Sequence, residues 1–251
     1  MCMPRVFMVL AGATLVVFAW LFYQYTAQQQ EEAELIEYET VLNEKTAEIF
    51  EQAQDWSQPI QLDIEENRLD GDYAVMAEYV LGQMRDRAEE RNQYLRDLKA
   101  ANWEHFLDID RLEKDQAQGY QETETMLKQV HQIVRNYEQT IQRREESQIE
   151  QVKRLDIKQR YRQQLAQNLK ATQQESDAYA IFAIEKQSLA KADQLFALLK
   201  KYKWEKRNRM FMFHDEKAVQ PFIALYKDIE NLNKQMQQIK TKNQKIVEEA
   251  L

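Results

Sequence analysis

A chain of 251 residues is long enough for one large domain or two small ones, with a buried core. Four glycines and three prolines leave few turn formers and helix breakers, and 30% charged residues exclude a chain that crosses a membrane many times. The formal charge of -8, from 34 basic and 42 acidic residues, argues against nucleic acid as a partner, because its binders concentrate basic charge on one face.

These proportions point to long, solvated helices. Aromatic residues at 10% and clear helical periodicity argue against disorder. Cys2 is the only cysteine, so no intrachain disulfide forms.

Residues 1–5 read as a short tail. Val6 to Tyr25 (VFMVLAGATLVVFAWLFYQY) carries no charge. A helix of about 20 residues spans about 30 Å, the thickness of the hydrocarbon layer. Trp20, Tyr23 and Tyr25 stand near one end, where amphipathic rings favour the interface. Arg5 flanks the other end, and Glu31, Glu32 and Glu34 follow the segment. The positive-inside tendency then leaves the N-terminus in the cytoplasm and the rest of the chain outside.

A cleaved signal peptide is the rival reading. The apolar run is long for one, and Tyr25-Thr26-Ala27 puts a bulky residue where a small one is needed. Leu10-Ala11-Gly12 resembles part of a lipobox, but Ala13 stands where cysteine is required. The expectation is a single-pass inner-membrane protein, anchored in the lipid bilayer through residues 6–25, with residues 26–251 in the periplasm.

The first outer helix is expected from Gln28 to Trp56, with Leu35, Tyr38, Leu42, Ile49 and Trp56 as its apolar stripe. Ser57-Gln58-Pro59 stops it. Ile60, Leu62 and Ile64 alternate with polar residues and read as a short extended piece. Asp70-Gly71-Asp72 starts a second helix, running from Asp72 to Ala100. Val75, Tyr79, Met84, Ala88, Tyr94 and Leu98 are its candidates for burial.

Trp103, Phe106, Leu107, Ile109 and Leu112 form a dense apolar group at a junction or local bend. A third helical tract covers Asp108 to Glu146, either continuous or divided at Gly119. Its inner face is Met126, Leu127, Val130, Ile133, Val134, Tyr137 and Ile141. From Arg143 to Arg162 the charged run reads as a solvated helix with a narrow contact stripe. Asn168 to Ser176 is the expected bend. A more apolar helix follows, from Asp177 to Tyr202.

Met210-Phe211-Met212-Phe213 reads either as a short strand opposite Ile60–Ile64 or as a buried loop. The last segment, 215–251, has the sharpest periodicity. Phe222, Leu225, Ile229, Leu232, Met236, Ile239, Asn243 and Ile246 are spaced by alternating threes and fours, the seam of a bundle or coiled-coil helix. Pro221 suits its first turn. The stripe fits an intrachain partner and another subunit equally well.

No catalytic, cofactor-binding or metal-binding signature is present. His105, His131 and His214 lack metal-ligand spacing. There is no glycine-rich nucleotide loop, and no serine has a nucleophile-elbow context. Acidic pairs such as Glu65-Glu66 and Glu89-Glu90 are common in so acidic a chain.

One patch stands out. Lys200, Lys201, Lys203, Lys206, Arg207 and Arg209 surround Tyr202 and Trp204. It fits an acidic protein, an anionic glycan or a lipid headgroup, or is simply a solvated helix end.

The fold class expected is therefore all-α: one N-terminal transmembrane helix, then an elongated helical bundle or coiled coil, with a minor two-stranded element as an option. The functional class expected is a noncatalytic interaction or scaffold protein of the envelope, binding an envelope protein or another copy of itself. An immunity protein that neutralises a periplasmic toxic enzyme, and an extracytoplasmic ligand sensor, are the alternatives.

Overall fold

A computed structural model describes residues 32–65, 67–175 and 177–250. The expected anchor at 6–25, the tail before it and Cys2 lie outside the described residues. Among the described residues no helix is long and apolar enough to cross a membrane.

The fold is mostly helical with one small sheet, as the low glycine and proline content implies. In chain order the elements are α1 (Glu32–Gln54), α2 (Gly71–Ala100), a 3-10 turn (Trp103–His105), α3 (Ile109–Ala117), α4 (Gln121–Arg154), α5 (Gln159–Glu175), α6 (Asp177–Lys201), β1 (Trp204–Arg207), β2 (Met210–Phe213) and α7 (Glu216–Ala250). They form two compact units. One contains Arg96–Asn136 and Ala180–Ile239; the other holds the described residues up to Leu95, Tyr137–Tyr179 and those from Lys240 onward.

In the unit that contains α1, the core joins Tyr38, Val41, Leu42 and Ile49 of α1 to Tyr73, Met76, Val80, Leu81 and Met84 of α2. Val152 of α4 and Tyr161, Leu165 and Leu169 of α5 complete it. Tyr73 lies 5.3 Å from Tyr38 and 5.7 Å from Tyr161 between ring centres. Met84, Ala88, Tyr94 and Leu98 of α2 are buried as expected, and the difference is confined to the start of the helix. Tyr73, Met76 and Val80 take the core positions, and Val75 and Tyr79 are only half-buried.

Of the two options for Met210–Phe213, it forms a strand, but its partner is Trp204–Arg207 and not the extended piece at 60–64. Ile60 and Leu62 are buried, but side chains satisfy the backbone of this extended piece. Gln52 Nε2 donates to the Gln61 carbonyl at 3.1 Å, and the Gln61 N–H donates to Gln52 Oε1 at 2.8 Å. The Ile60 N–H donates to Glu89 Oε2 at 2.8 Å. Gln52 and Glu89 thus supply the backbone partners that a neighbouring strand would otherwise give.

The charged run 143–162 is also not one helix. It breaks between Arg154 and Gln159 with neither glycine nor proline. Arg162 Nη1 donates to the Leu155 carbonyl at 3.0 Å and also reaches that of Ile157, satisfying carbonyls in the break itself. The Lys158 N–H donates to Asp72 Oδ1 at 3.3 Å. The expected bend at Asn168–Ser176 falls late: α5 continues to Glu175, α6 starts at Asp177, and Ser176 lies outside the described residues.

Burial pushes the Tyr79 hydroxyl up to about 12 and Tyr38 well above the usual tyrosine range. Both groups keep their protons in the folded state where the unfolded chain has lost them. Their contribution to stability is therefore complete below pH 10 and is lost as pH rises through about 12 for Tyr79. Alkaline titration should show folding stability falling above pH 10, tracked by circular dichroism and tyrosinate absorbance, and Tyr79→Phe should flatten that fall.

Three helices supply buried apolar residues to the second unit. Ile181, Ile184, Leu189, Ala192, Leu195, Phe196 and Leu199 are buried, joined by Met126, Leu127 and Val130 of α4 and by Ile229, Leu232 and Met236 of α7. Asp108 caps α3, its carboxylate accepting the N–H groups of Asp110 at 2.9 Å and Arg111 at 3.0 Å. The third tract does divide at Gly119. Gly119 and Tyr120 both take positive φ, 76° and 65°, and the chain re-enters helix at Gln121. Beyond the division α4 continues to Arg154, past the expected end at Glu146.

Candidate functional site

The site lies where α6 passes through the β1–β2 hairpin into α7. Its strands pair antiparallel, Trp204 with Phe213, Glu205 with Met212, Lys206 with Phe211 and Arg207 with Met210. Asn208 and Arg209 form the two-residue turn, both at positive φ, 51° and 61°. Such a turn matches the twist of the strands, and asparagine followed by glycine fits it best. Arginine in the second position holds a conformation that costs a side-chain-bearing residue roughly 1–2 kcal/mol.

Alternation gives the hairpin two faces. The inner face carries Trp204, Lys206, Phe211 and Phe213; the outer carries Glu205, Arg207, Met210 and Met212. Trp204 is buried, and its Nε1 donates to the Tyr120 hydroxyl at 2.7 Å. That hydroxyl donates in turn to the Leu199 carbonyl at 3.0 Å. Phe222 of α7 packs 5.0 Å from Phe211 and 5.1 Å from Phe213, and Tyr226 stacks 6.5 Å from Phe222. The hairpin thus rests on an aromatic brace.

The expected basic cluster is dispersed. Lys206 turns inward to α3, paired with Asp110 and lying 3.6 Å from Glu113. The bond from Lys206 holds the Asp110 carboxyl below the usual range and raises the Lys206 ammonium. Lys200 pairs with Glu124 of α4. Arg207 pairs with Glu205 at 2.7 Å on the outer face. Lys201 lies over the half-buried Tyr202 ring at 5.1 Å. Lys203 is exposed and precedes β1, and Arg209 stands at the turn.

Apolar exposure is concentrated instead. Of the five large apolar side chains exposed among the described residues, four are here: Met210 at 58%, Met212 at 38%, Ile223 at 39% and Tyr226 at 38%. The fifth is Ile36 of α1. A patch of exposed apolar side chains with a polar rim marks an interaction surface more often than a scatter does. The middle of the expected α7 seam is occupied within the chain. Ile229, Leu232 and Met236 are buried, and Phe222, Leu225 and Ile239 are half-buried. Asn243 and Ile246 fall within α7, with side chains outside the described residues.

Each of the three histidines lies beside one carboxylate. His131 Nε2 is 3.0 Å from Asp193, His105 Nε2 is 3.3 Å from Glu104, and His214 Nε2 is 4.0 Å from Glu205. Among the described residues no group of histidine, cysteine and acidic side chains is placed to hold a metal.

Sequence reasoning missed a half-buried polar layer between α2 and α4 in the α1 unit, with Gln148 at its buried centre. Arg87 Nη2 donates to Gln148 Oε1 at 2.9 Å, Gln148 Nε2 donates to Gln83 Oε1 at 2.7 Å, and Arg144 pairs with Glu90. Burial, then the nearby Arg144 charge, pulls Arg87 down to about 9; burial pulls Arg144 to about 10. Both remain cationic at neutral pH, and this layer joins two helices. Its signal in the sequence was only the spacing of polar residues on otherwise apolar faces.

Comparison with protein-family models, with curated proteins and with solved structures finds no match.

Proposed function

We propose that the chain is a noncatalytic interaction or scaffold protein of the cell envelope. In this reading residues 6–25 hold it to the inner membrane with the N-terminus in the cytoplasm. The uncharged run between Arg5 and Glu31 supports that placement. Its helical part acts outside the cytoplasm by docking a protein on the hairpin and the start of α7.

The observation that carries the reading is the exposure of Met210, Met212, Ile223 and Tyr226 over the aromatic brace. Methionine adapts to varied partner surfaces, and tyrosine offers a large contact area at low entropic cost. A rigid support limits the ordering cost of binding.

The test is a photo-crosslinking amino acid placed at Met212 of the full chain in intact cells. A light-dependent adduct with protein is expected there and not with the same group at exposed Gln132 of α4. Adducts with lipid alone, or none, would remove the reading.

A further inference from the structure

The hairpin has two edges, and they are treated differently. The His214 N–H donates to the Lys203 carbonyl at 3.0 Å. With the observed register, this fixes which residues bond across the ladder: Glu205 with Met212, and Arg207 with Met210. The backbone groups of Trp204 and Lys206 then point out from β1, and those of Phe211 and Phe213 point out from β2.

On the β1 side α3 attends to the edge. Gln116 Nε2 donates to the Trp204 carbonyl at 3.4 Å, and Lys206 reaches Asp110 and Glu113. On the β2 side, no hydrogen bond from outside the ladder reaches the backbone of Phe211 or Phe213 among the described residues. An open strand edge is a template for a further strand, and a sheet of only two strands gains most from one.

We infer that β2 pairs antiparallel with β2 of a second copy of this chain, Met212 against Met212 on the twofold axis, closing a four-stranded sheet. This deepens the docking reading and rests on it.

Three features select the second copy. First, the open groups belong to alternate residues, so only registers that oppose Phe211 and Phe213 to one another satisfy them. The register centred on Met212 pairs Phe211 with Phe213 at both ends and leaves none of the four unpaired. Second, the same register carries Arg209 of each copy to Asp215 of the other. The acid stands two residues beyond β2, after His214, and the cation immediately before the strand, so complementary charges flank it at its two ends. Third, the contact is its own mate: a twofold uses the same surface on both sides and stops at two.

Met212 would face its copy as a non-hydrogen-bonded pair. In such pairs the Cα atoms lie about 4.5 Å apart, inside the disulfide range. The experiment uses the full chain in its membrane, with Cys2→Ser, and Met212→Cys or Met210→Cys under mild oxidation. Met212→Cys is expected to give a disulfide dimer, and Met210→Cys, opposite His214, at least about tenfold less. Adding Arg209→Asp to Met212→Cys should lower the dimer yield about tenfold, by loss of two ion pairs and new repulsion with Asp215. The Asp215 carboxylate also accepts the Lys217 N–H at 2.9 Å, so the charge change is made at Arg209 and the cap stays intact.

Equal yields from the two cysteine positions, or a Met212→Cys yield indifferent to Arg209→Asp, would overturn the self-pairing. If the photo-crosslinker at Met212 then captured a different protein, the docking reading would stand alone. If it captured lipid or nothing, both would fall.

Discussion

Asp115→Asn should destabilise the hairpin-bearing unit by about 2–4 kcal/mol, read from urea unfolding followed by circular dichroism. Asp115 is buried near the end of α3. One carboxylate oxygen accepts the Glu122 N–H at 3.0 Å. The other accepts the Thr123 N–H at 2.8 Å and the Thr123 hydroxyl at 2.5 Å. Arg111 stands 3.8 Å away and also donates to Thr123 Oγ1, at 3.0 Å. The carboxylate therefore caps the first turn of α4 from another helix, across the turn at Gly119 and Tyr120. An amide has one acceptor oxygen. Whichever way the substituted side chain turned, its NH2 would meet N–H donors, leaving buried donors unsatisfied. Asp115→Glu tests the same point by geometry, since the longer chain keeps the charge but moves both oxygens. A loss below about 0.5 kcal/mol for Asp115→Asn would show that the charge and second acceptor do not hold this junction.

That junction also shows how far the sequence could be read. Gly119 marked the one place where the third helical tract could divide, because glycine is rare here and costly inside a helix, but left a continuous helix open as well. The periodic runs that became α2, α6 and the buried stretch of α7 were legible for a related reason. Long helices repeat their apolar face many times, so a single misplaced position does not obscure the pattern.

Features that depend on distant partners were not legible. Arg162 and Asp72 support the bend after Arg154, at positions that carry no turn chemistry of their own. The carboxylates that draw in Lys200 and Lys206 come from Glu124, Asp110 and Glu113, far away in the chain. A linear cluster of cations thus read as a patch, although the fold spreads it over several surroundings. At the hairpin, the alternation in Met210–Phe213 was visible. Its neighbour, Trp204–Arg207, looked like part of the basic cluster, and Asn208-Arg209 lacks the glycine that would have marked the turn. Exposed methionines flanked by inward phenylalanines could have been found by counting alternation on both sides of Asn208.

Trp204→Ala should have the largest effect of any single change at the site, about 3–5 kcal/mol, because it removes a large buried side chain and a buried hydrogen-bond donor together. Trp204 packs 4.8 Å from Phe211, so its loss reaches the brace under the exposed methionines. Tyr120 has its own reason to stay in place. It sits at positive φ and gives its hydroxyl proton to the Leu199 carbonyl, anchoring the end of α6. Trp204→Phe separates the two contributions: most of the packing stays while the Nε1 donor is lost, at a cost of about 1–2 kcal/mol. Urea unfolding supplies both numbers, and the photo-crosslink at Met212 reports whether the surface survives. The alanine variant should lose the adduct under conditions where circular dichroism still shows folded helices, since the brace and not the helical core carries the hairpin. If the adduct persisted at full yield in Trp204→Ala, the exposed side chains would not depend on the aromatic support beneath them. The hairpin would then dock without the support of Trp204, and the argument from a rigid brace would fall.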